Sequence, residues 1–156
     1  MKHLSLLAAS LLFSVGAFAG AADTVSVQDA YVRLAPPNAP ATGAFMVIKN
    51  NGAKDVKVLK ADNPASKVTE LHTHLNEGGV MKMRPVPAID IKSKSEAVLK
   101  PGGLHVMLID LKAPMKEGDV VPITLNFDDG SSKTVDAKVV KPTAAPAPMD
   151  HMNHKH

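Results

Sequence analysis

The feature that most constrains the fold of this chain is a series of short segments in which apolar and polar residues alternate. From Val25 onward, apolar residues recur with a period of two, the period at which the side chains of a strand return to the same face. No long helical stripe is present. Clusters of Gly, Pro, Asn and Asp separate the segments, most clearly at 50–52, 76–79, 101–103 and 128–130. Short strands with turns at this spacing predict an all-β, antiparallel sandwich or barrel.

The alternation predicts ten strands within one domain. A chain of 156 residues has the usual length of a single domain, and 45% hydrophobic with 21% charged residues is typical of a globular protein rather than a disordered or polytopic membrane protein. We expect this domain to occupy residues 23–141 and to be a monomer. Its predicted strands cover 25–34, 43–50, 55–61, 67–75, 80–86, 89–92, 96–100, 104–112, 121–127 and 133–140.

The composition excludes several kinds of partner and site. Tryptophan is absent, and one Tyr and four Phe are the whole aromatic set, so base-stacking platforms are not expected. The net charge of +3 comes from 18 basic and 15 acidic residues, and the lysines are scattered, so we expect no nucleic-acid partner. Without cysteine, the chain cannot form disulfides, zinc–thiolate sites or a thiolate-ligated copper centre. Soft-metal chemistry is left to eight Met and seven His.

Residues 1–19 are typical of a secretory signal peptide. Lys2 precedes an uncharged apolar run at 4–18, and an Ala-Phe-Ala sequence ends the segment. The run is shorter than the roughly 20 residues of a membrane span, and no basic flank follows it, so a retained membrane anchor is the weaker alternative. We expect cleavage after position 19, or as late as 22, with no stable membrane insertion afterwards. The mature protein is then expected in the periplasm.

Residues 142–156 differ in composition from the predicted domain. A Pro- and Ala-rich spacer at 142–148 offers little apolar bulk and few backbone donors, so we expect a disordered, mobile linker. The last eight residues are rich in His and Met, and their imidazoles together with Asp150 suit Cu(II), and less selectively Ni²⁺ or Zn²⁺. An inert hydrophilic end is the alternative. The potential auxiliary metal ligands of this tail are Met149, His151, Met152, His154 and His156.

The two predicted strands that flank the 76–79 turn both carry potential metal ligands. If those four residues form the loop, His72 faces Met83 and His74 faces Met81. Directly opposed side chains of an antiparallel pair have Cβ atoms about 4.5–5.5 Å apart, so an imidazole and a thioether could bind one ion. Strand alternation also places the two His side chains on one face, and likewise the two Met side chains.

A second predicted strand supplies the same two ligand types. His105 and Met107 are two residues apart and therefore lie on one face of the strand that follows the 101–103 turn. Together with His72 and Met83 they form the pattern His-x10-Met-x21-His-x-Met. Two nitrogen and two thioether donors favour Cu(I), because soft sulfur binds the soft monovalent ion and is a poor ligand for harder cations.

This pattern and its surroundings resemble the periplasmic copper chaperone family PCuAC. The resemblance covers roughly residues 24–140 and rests on the four spaced ligands, on Glu-Leu-His at 70–72 and on Val-Met-Lys-Met-Arg-Pro at 80–85. It implies a cupredoxin-like Greek-key sandwich that binds Cu(I) at an exposed edge through four ligands. By position these ligands are His72, Met83, His105 and Met107.

The resemblance also implies partners for the bound copper. Members of the family deliver copper toward the copper subunit of cytochrome c oxidase, in some cases alongside a Sco-type copper protein. His74 and Met81 lie outside the four-residue pattern, and whether they bind copper stays open. The tail is similar to extensions in which some members bind additional copper, including Cu(II).

The sequence leaves three alternatives to copper delivery. A copper-sequestering resistance protein without a delivery partner needs the same site, so only transfer to an acceptor separates the two. An enzyme is not expected, since four protein donors fill the metal's shell and no Ser-His-Asp or paired-carboxylate arrangement stands out. In a structural or adhesive sandwich, the spacing of Met and His would be a coincidence.

Overall fold

The computed structural model describes residues 19–142 and is built almost entirely of strands. All ten predicted strands are confirmed, with ends that differ from the prediction by at most two residues. A one-turn helix, α1 (Ala21–Thr24), precedes them. The strands are β1 (Val25–Arg33), β2 (Ala41–Asn50), β3 (Val56–Asp62), β4 (Ser66–Glu77), β5 (Val80–Pro85), β6 (Ile89–Ile91), β7 (Glu96–Leu99), β8 (His105–Leu111), β9 (Val120–Phe127) and β10 (Ser132–Val140).

The strands form one sheet in the order β5-β4-β8-β2-β1-β10-β9-β3-β6, and β7 also pairs with β2. The sheet is not closed, because β5 and β6 lie at its two ends. The all-β prediction is therefore confirmed, with one departure from antiparallel pairing. Strands β1 and β10 pair in parallel, in the register Tyr31 opposite Lys138. The order places β8 between β4 and β2, so elements distant in sequence become neighbours.

The hydrophobic core lies on one face of these strands, and polar or sulfur-bearing side chains lie on the other. In β8, Val106 and Leu108 are fully buried in the core, and His105 and Met107 alternate with them. In β4, Leu71 belongs to the same core. Complete burial of a Val or Leu side chain contributes about 1.5–3 kcal/mol, so the apolar face fixes which side chains point away from the core.

The β4–β5 hairpin has a two-residue turn rather than the predicted four-residue loop. Gly78 and Gly79 both have positive φ angles, +63° and +83°, which a tight turn of this kind requires at its two central positions. Positions 76 and 77 are consequently strand residues. The predicted pairs are therefore wrong: His74 lies opposite Met83, whereas His72 lies opposite Pro85 and Met81 opposite Asn76. The register differs by two residues, so every side chain keeps its predicted face.

The segment before β1 packs onto the β9–β10 end of the sheet. Ala21 is buried against the core, and its backbone N–H donates to Oδ2 of Asp129 at 2.6 Å. The N–H of Ala22 donates to Oγ of Ser131 at 3.0 Å. The folded unit therefore begins before residue 23. Residues 1–18 of the predicted signal peptide and residues 143–156 of the predicted tail lie outside the described residues, so both assignments and the cleavage position stay predictions.

Across residues 19–142, no helix has the length and apolar character needed to cross a membrane.

Candidate metal centre

Four neighbouring strands bring the His and Met residues of the sequence pattern together on the face opposite the core. His72 in β4 pairs with His105 in β8. His74, two residues further along β4, pairs with Met83 in the edge strand β5. Met107 lies opposite Gly43 in β2. Segments separated by more than twenty residues of sequence therefore converge at one place, as the pattern predicts.

A cavity of about 340 Å³ opens at this place, and its lining contains His74, Met83, His105 and Met107. The ring centroid of His105 lies 5.2 Å from that of His74 and 5.8 Å from that of His72. Of the described residues, His72 stands beside the cavity and is not part of its lining. Thus three residues of the four-ligand pattern line the cavity together with His74.

His105 is held in the form that can bind a metal ion. Its side chain is buried, and Nδ1 lies 3.0 Å from the carbonyl oxygen of Gly103. Because a carbonyl only accepts, Nδ1 carries the hydrogen and Nε2 keeps its lone pair. Burial lowers the pKa of His105, and the nearby His74, His72 and Arg33 act in the same direction against the effect of the Gly103 bond. The ring is therefore neutral near pH 7.

The other two imidazoles each have a nitrogen without a protein partner. Nε2 of His72 donates to Oε2 of Glu70 at 2.7 Å, so in the neutral ring the lone pair is on Nδ1. Within residues 19–142, the Nδ1 atoms of His72 and His74 are buried and lack a hydrogen-bond partner. Such an atom costs about 1–3 kcal/mol. Two unpaired imidazole nitrogens beside two thioethers fit a soft metal ion.

The methionines differ in how accessible they are. Met83 is 40% exposed on the edge strand, whereas Met107 is half-buried in β8, between the buried residues Val106 and Leu108. Met81 is 54% exposed, shares the face of Met83 and lies nearer the turn, outside the cavity lining among the described residues. The site therefore runs from a buried end at His105 to an exposed end at the β5 edge.

No three His, Asp or Glu side chains within residues 19–142 converge closely enough to hold a metal ion by themselves. The auxiliary candidates of the tail lie outside the described residues. These are Met149, His151, Met152, His154 and His156.

Three residues that the sequence analysis did not single out complete the surroundings of the site. The ring of Phe45 lies 6.0 Å from that of His105, and the guanidinium of Arg33 lies 5.3 Å above the Phe45 ring centre. Gly43 has no side chain, and the Phe45 ring occupies the space that a Cβ there would need. Phe45 and Gly43 reach the site because β2 pairs with β8, and Arg33 because β1 pairs with β2. The pairing of β2 with β8 has no signal in the sequence.

A family model and two curated relatives match this chain. The family model, described as "Putative lipoprotein LpqE-like", matches residues 25–139. "Putative lipoprotein Lxx21020" of Leifsonia xyli subsp. xyli is 36% identical over 115 residues, which cover 73% of this chain and 68% of the relative. "Uncharacterized protein RP573" of Rickettsia prowazekii is 32% identical over 97 residues, covering 61% of this chain and 53% of that protein.

Solved structures of PCuAC domains share the fold. Apo-DR1885 from Deinococcus radiodurans is 34% identical with a TM-score of 0.61, and the match covers 91% of this chain and 95% of that one. The Cu(I) form of DR1885 is 33% identical with a TM-score of 0.60, covering 80% and 82%. The copper-bound PCuAC domain of PmoF2 is 20% identical with a TM-score of 0.66, covering 79% and 97%. The cupredoxin-like fold class is thereby confirmed.

The close packing of Phe45 against Gly43 provides a test of the site geometry. A Cβ at this position would lie 3.0 Å from Cζ of Phe45 and 3.8 Å from Cδ2 of His105. Because Phe45 is buried, we expect Gly43→Ala to lower the free energy of unfolding by about 1 kcal/mol through overpacking. Urea unfolding measures the loss, and the NMR signals of the His105 ring should shift.

Gly103→Ala is the matched control for the unfolding measurement, since a Cβ there would approach no atom closer than 3.6 Å. Unchanged stability and unchanged His105 signals in Gly43→Ala would contradict the described packing of Phe45 against the site.

Proposed function

This chain belongs to the LpqE-like family, which is the PCuAC-like family, and from this premise we propose that it is a copper chaperone that binds Cu(I) as its cargo. One observation carries the proposal: two imidazoles and two thioethers line a single cavity, and the unpaired imidazole nitrogen of His72 lies beside it. The copper-bound states of DR1885 and PmoF2 support copper as the metal.

The donor chemistry favours the monovalent ion. Thioether sulfur and neutral imidazole suit soft Cu(I) and carry no negative charge that would offset a second positive charge on the metal. The guanidinium of Arg33, which stacks on Phe45 beside the cavity, disfavours additional positive charge there. We assign the ligand roles to the four residues of the sequence pattern, which are His72, Met83, His105 and Met107.

The proposed role is that of a carrier and not of an enzyme. Two nitrogen and two sulfur donors complete a tetrahedral shell around Cu(I), which leaves no position for a substrate. Met83 is exposed at the sheet edge, so an acceptor can approach the metal from that side and replace the protein ligands one at a time. The lipoprotein names of family and relative support location in the cell envelope, and we propose the periplasm.

We expect replacement of either ligand type to weaken Cu(I) binding. In a titration against a competing Cu(I) chelator, Met83→Leu and His105→Ala should each lower the affinity about tenfold or more, the equivalent of about 1.4 kcal/mol. Met46→Leu is the control, because Met46 is buried in the core and the substitution preserves volume. Wild-type affinity in both site variants would remove the assigned centre.

We further propose that the acceptor is the copper subunit of cytochrome c oxidase or a Sco-type copper protein. Thioethers are weaker donors than thiolates, so transfer to a site with two thiolates runs downhill without an energy source. Mixing the Cu(I)-loaded protein with an apo oxidase copper domain should therefore transfer the metal as Cu(I), as metal analysis of the two separated proteins would show. The same acceptor with alkylated thiols should receive none. Retention of copper by the carrier would favour the sequestering protein instead.

We also propose that the C-terminal segment is an auxiliary copper site, including for Cu(II). Imidazoles and a carboxylate suit the divalent ion, and a tethered module raises the local copper concentration near the main site. Removal of residues 142–156 should lower the amount of copper bound per chain and leave tight Cu(I) binding intact. Metal analysis after dialysis and the chelator titration measure the two quantities. Loss of the tight site in the truncated chain would refute this division.

A further inference from the structure

The structure gives His74 a larger part in the site than the sequence pattern does. The pattern contains His72, yet His74 lines the cavity and lies directly opposite Met83. Its ring is also the nearer of the two to His105, at 5.2 Å against 5.8 Å. Its Nδ1 atom is buried and has no partner among residues 19–142. This nitrogen is therefore available to the cargo.

The two histidines of β4 differ in what holds their rings. Nε2 of His72 is bound to the Glu70 carboxylate, and such a carboxylate partner orients a metal-binding imidazole and raises its basicity. Nδ1 is unpaired in both rings, but within the described part of the chain no hydrogen bond holds the ring of His74. His72 is thus suited to a resident ligand, and His74 to a ligand that forms and releases its bond readily.

The positions of His72 and His74 along β4 indicate the direction in which a bound ion would move during release. His72 pairs with the buried His105, whereas His74 pairs with Met83 on the exposed edge strand. Side chains two residues apart on a strand are separated by about 6.6 Å along its axis. An ion that exchanges its bond to His72 for one to His74 therefore moves along β4 toward the position opposite Met83.

We propose that His74 is an exchange ligand, which together with Met83 holds Cu(I) at the exposed edge during its release. The inference rests on the proposed function. Before release, His72, His105 and Met107 hold the ion with Met83; during release, His74 replaces His72 while Met83 stays bound. Two overlapping ligand sets allow each bond to be replaced before the next one breaks, so the ion is never left with too few donors.

The test compares the equilibrium affinity with the rate of release. Cu(I)-loaded His74→Phe should release copper to an excess of a chelator about tenfold more slowly than the wild type in stopped-flow measurements, because its exchange ligand is missing. Its equilibrium affinity should change by less than about threefold, or 0.7 kcal/mol. His72→Phe should instead lose at least about tenfold in affinity. X-ray absorption at the copper edge should show the wild-type number of sulfur and nitrogen ligands in His74→Phe.

Controls make each outcome decisive. Thr73→Val changes the neighbouring residue on the opposite face and should leave affinity and rate unchanged. His74→Gln, which retains polarity, should show the same slow release if His74→Phe does not fold. Wild-type rates in both His74 variants would overturn the inference, and so would an affinity loss as large as that of His72→Phe. A wild type that does not bind Cu(I) would instead refute the proposed function itself.

Discussion

The pairing of β4 with two neighbours at once is the constraint on which the site depends. On one side β4 is fixed to β8 with His72 opposite His105, and on the other it is fixed to β5 with His74 opposite Met83. A slip of one residue in either pair would turn the site residues of that strand toward the core. Burial of Leu71, Val106 and Leu108 opposes such a slip. The hydrophobic core therefore sets the geometry of a site on its opposite face.

The same arrangement links metal binding to stability. Two buried imidazole nitrogens without partners within residues 19–142 each cost about 1–3 kcal/mol, and an ion that binds them removes this cost. A ligand that binds only the folded state stabilises it by mass action. His105 differs from the other two, because the Gly103 carbonyl fixes its tautomer before any ion arrives. One ring is thus preorganised, and the other two gain most from binding.

The sequence was sufficient to predict the strands and the face on which each ligand lies. It was insufficient to predict the register of the β4–β5 pair and which strands become neighbours. A period of two identifies strands and faces because both are local properties, which is why His72 and Met83 were predicted on one face. The loop at 76–79 was too long by two residues, since Asn76 and Glu77 are compatible with a turn and only the backbone angles of Gly78 and Gly79 identify the tight form.

Pairing between strands that are far apart in sequence explains the features of the structure that the sequence did not predict. The parallel alignment of β1 with β10 and the approach of Arg33 and Phe45 to the site depend on which strands become neighbours. Neither feature produces a periodic pattern in the sequence, because the packing of the whole core selects which distant strands pair.

The edge strand β5 combines an open edge with accessible sulfur ligands. An unpaired edge invites pairing with other sheets, and charged side chains are the usual protection. On the face away from the site, Glu77 pairs with Lys82 at 3.0 Å and with Arg84 at 3.1 Å, and these cations lower the pKa of its carboxyl group. Charges therefore occupy one face of β5, and Met81 and Met83 occupy the other. Such a strand resists association with another sheet and still leaves the thioethers of Met81 and Met83 exposed.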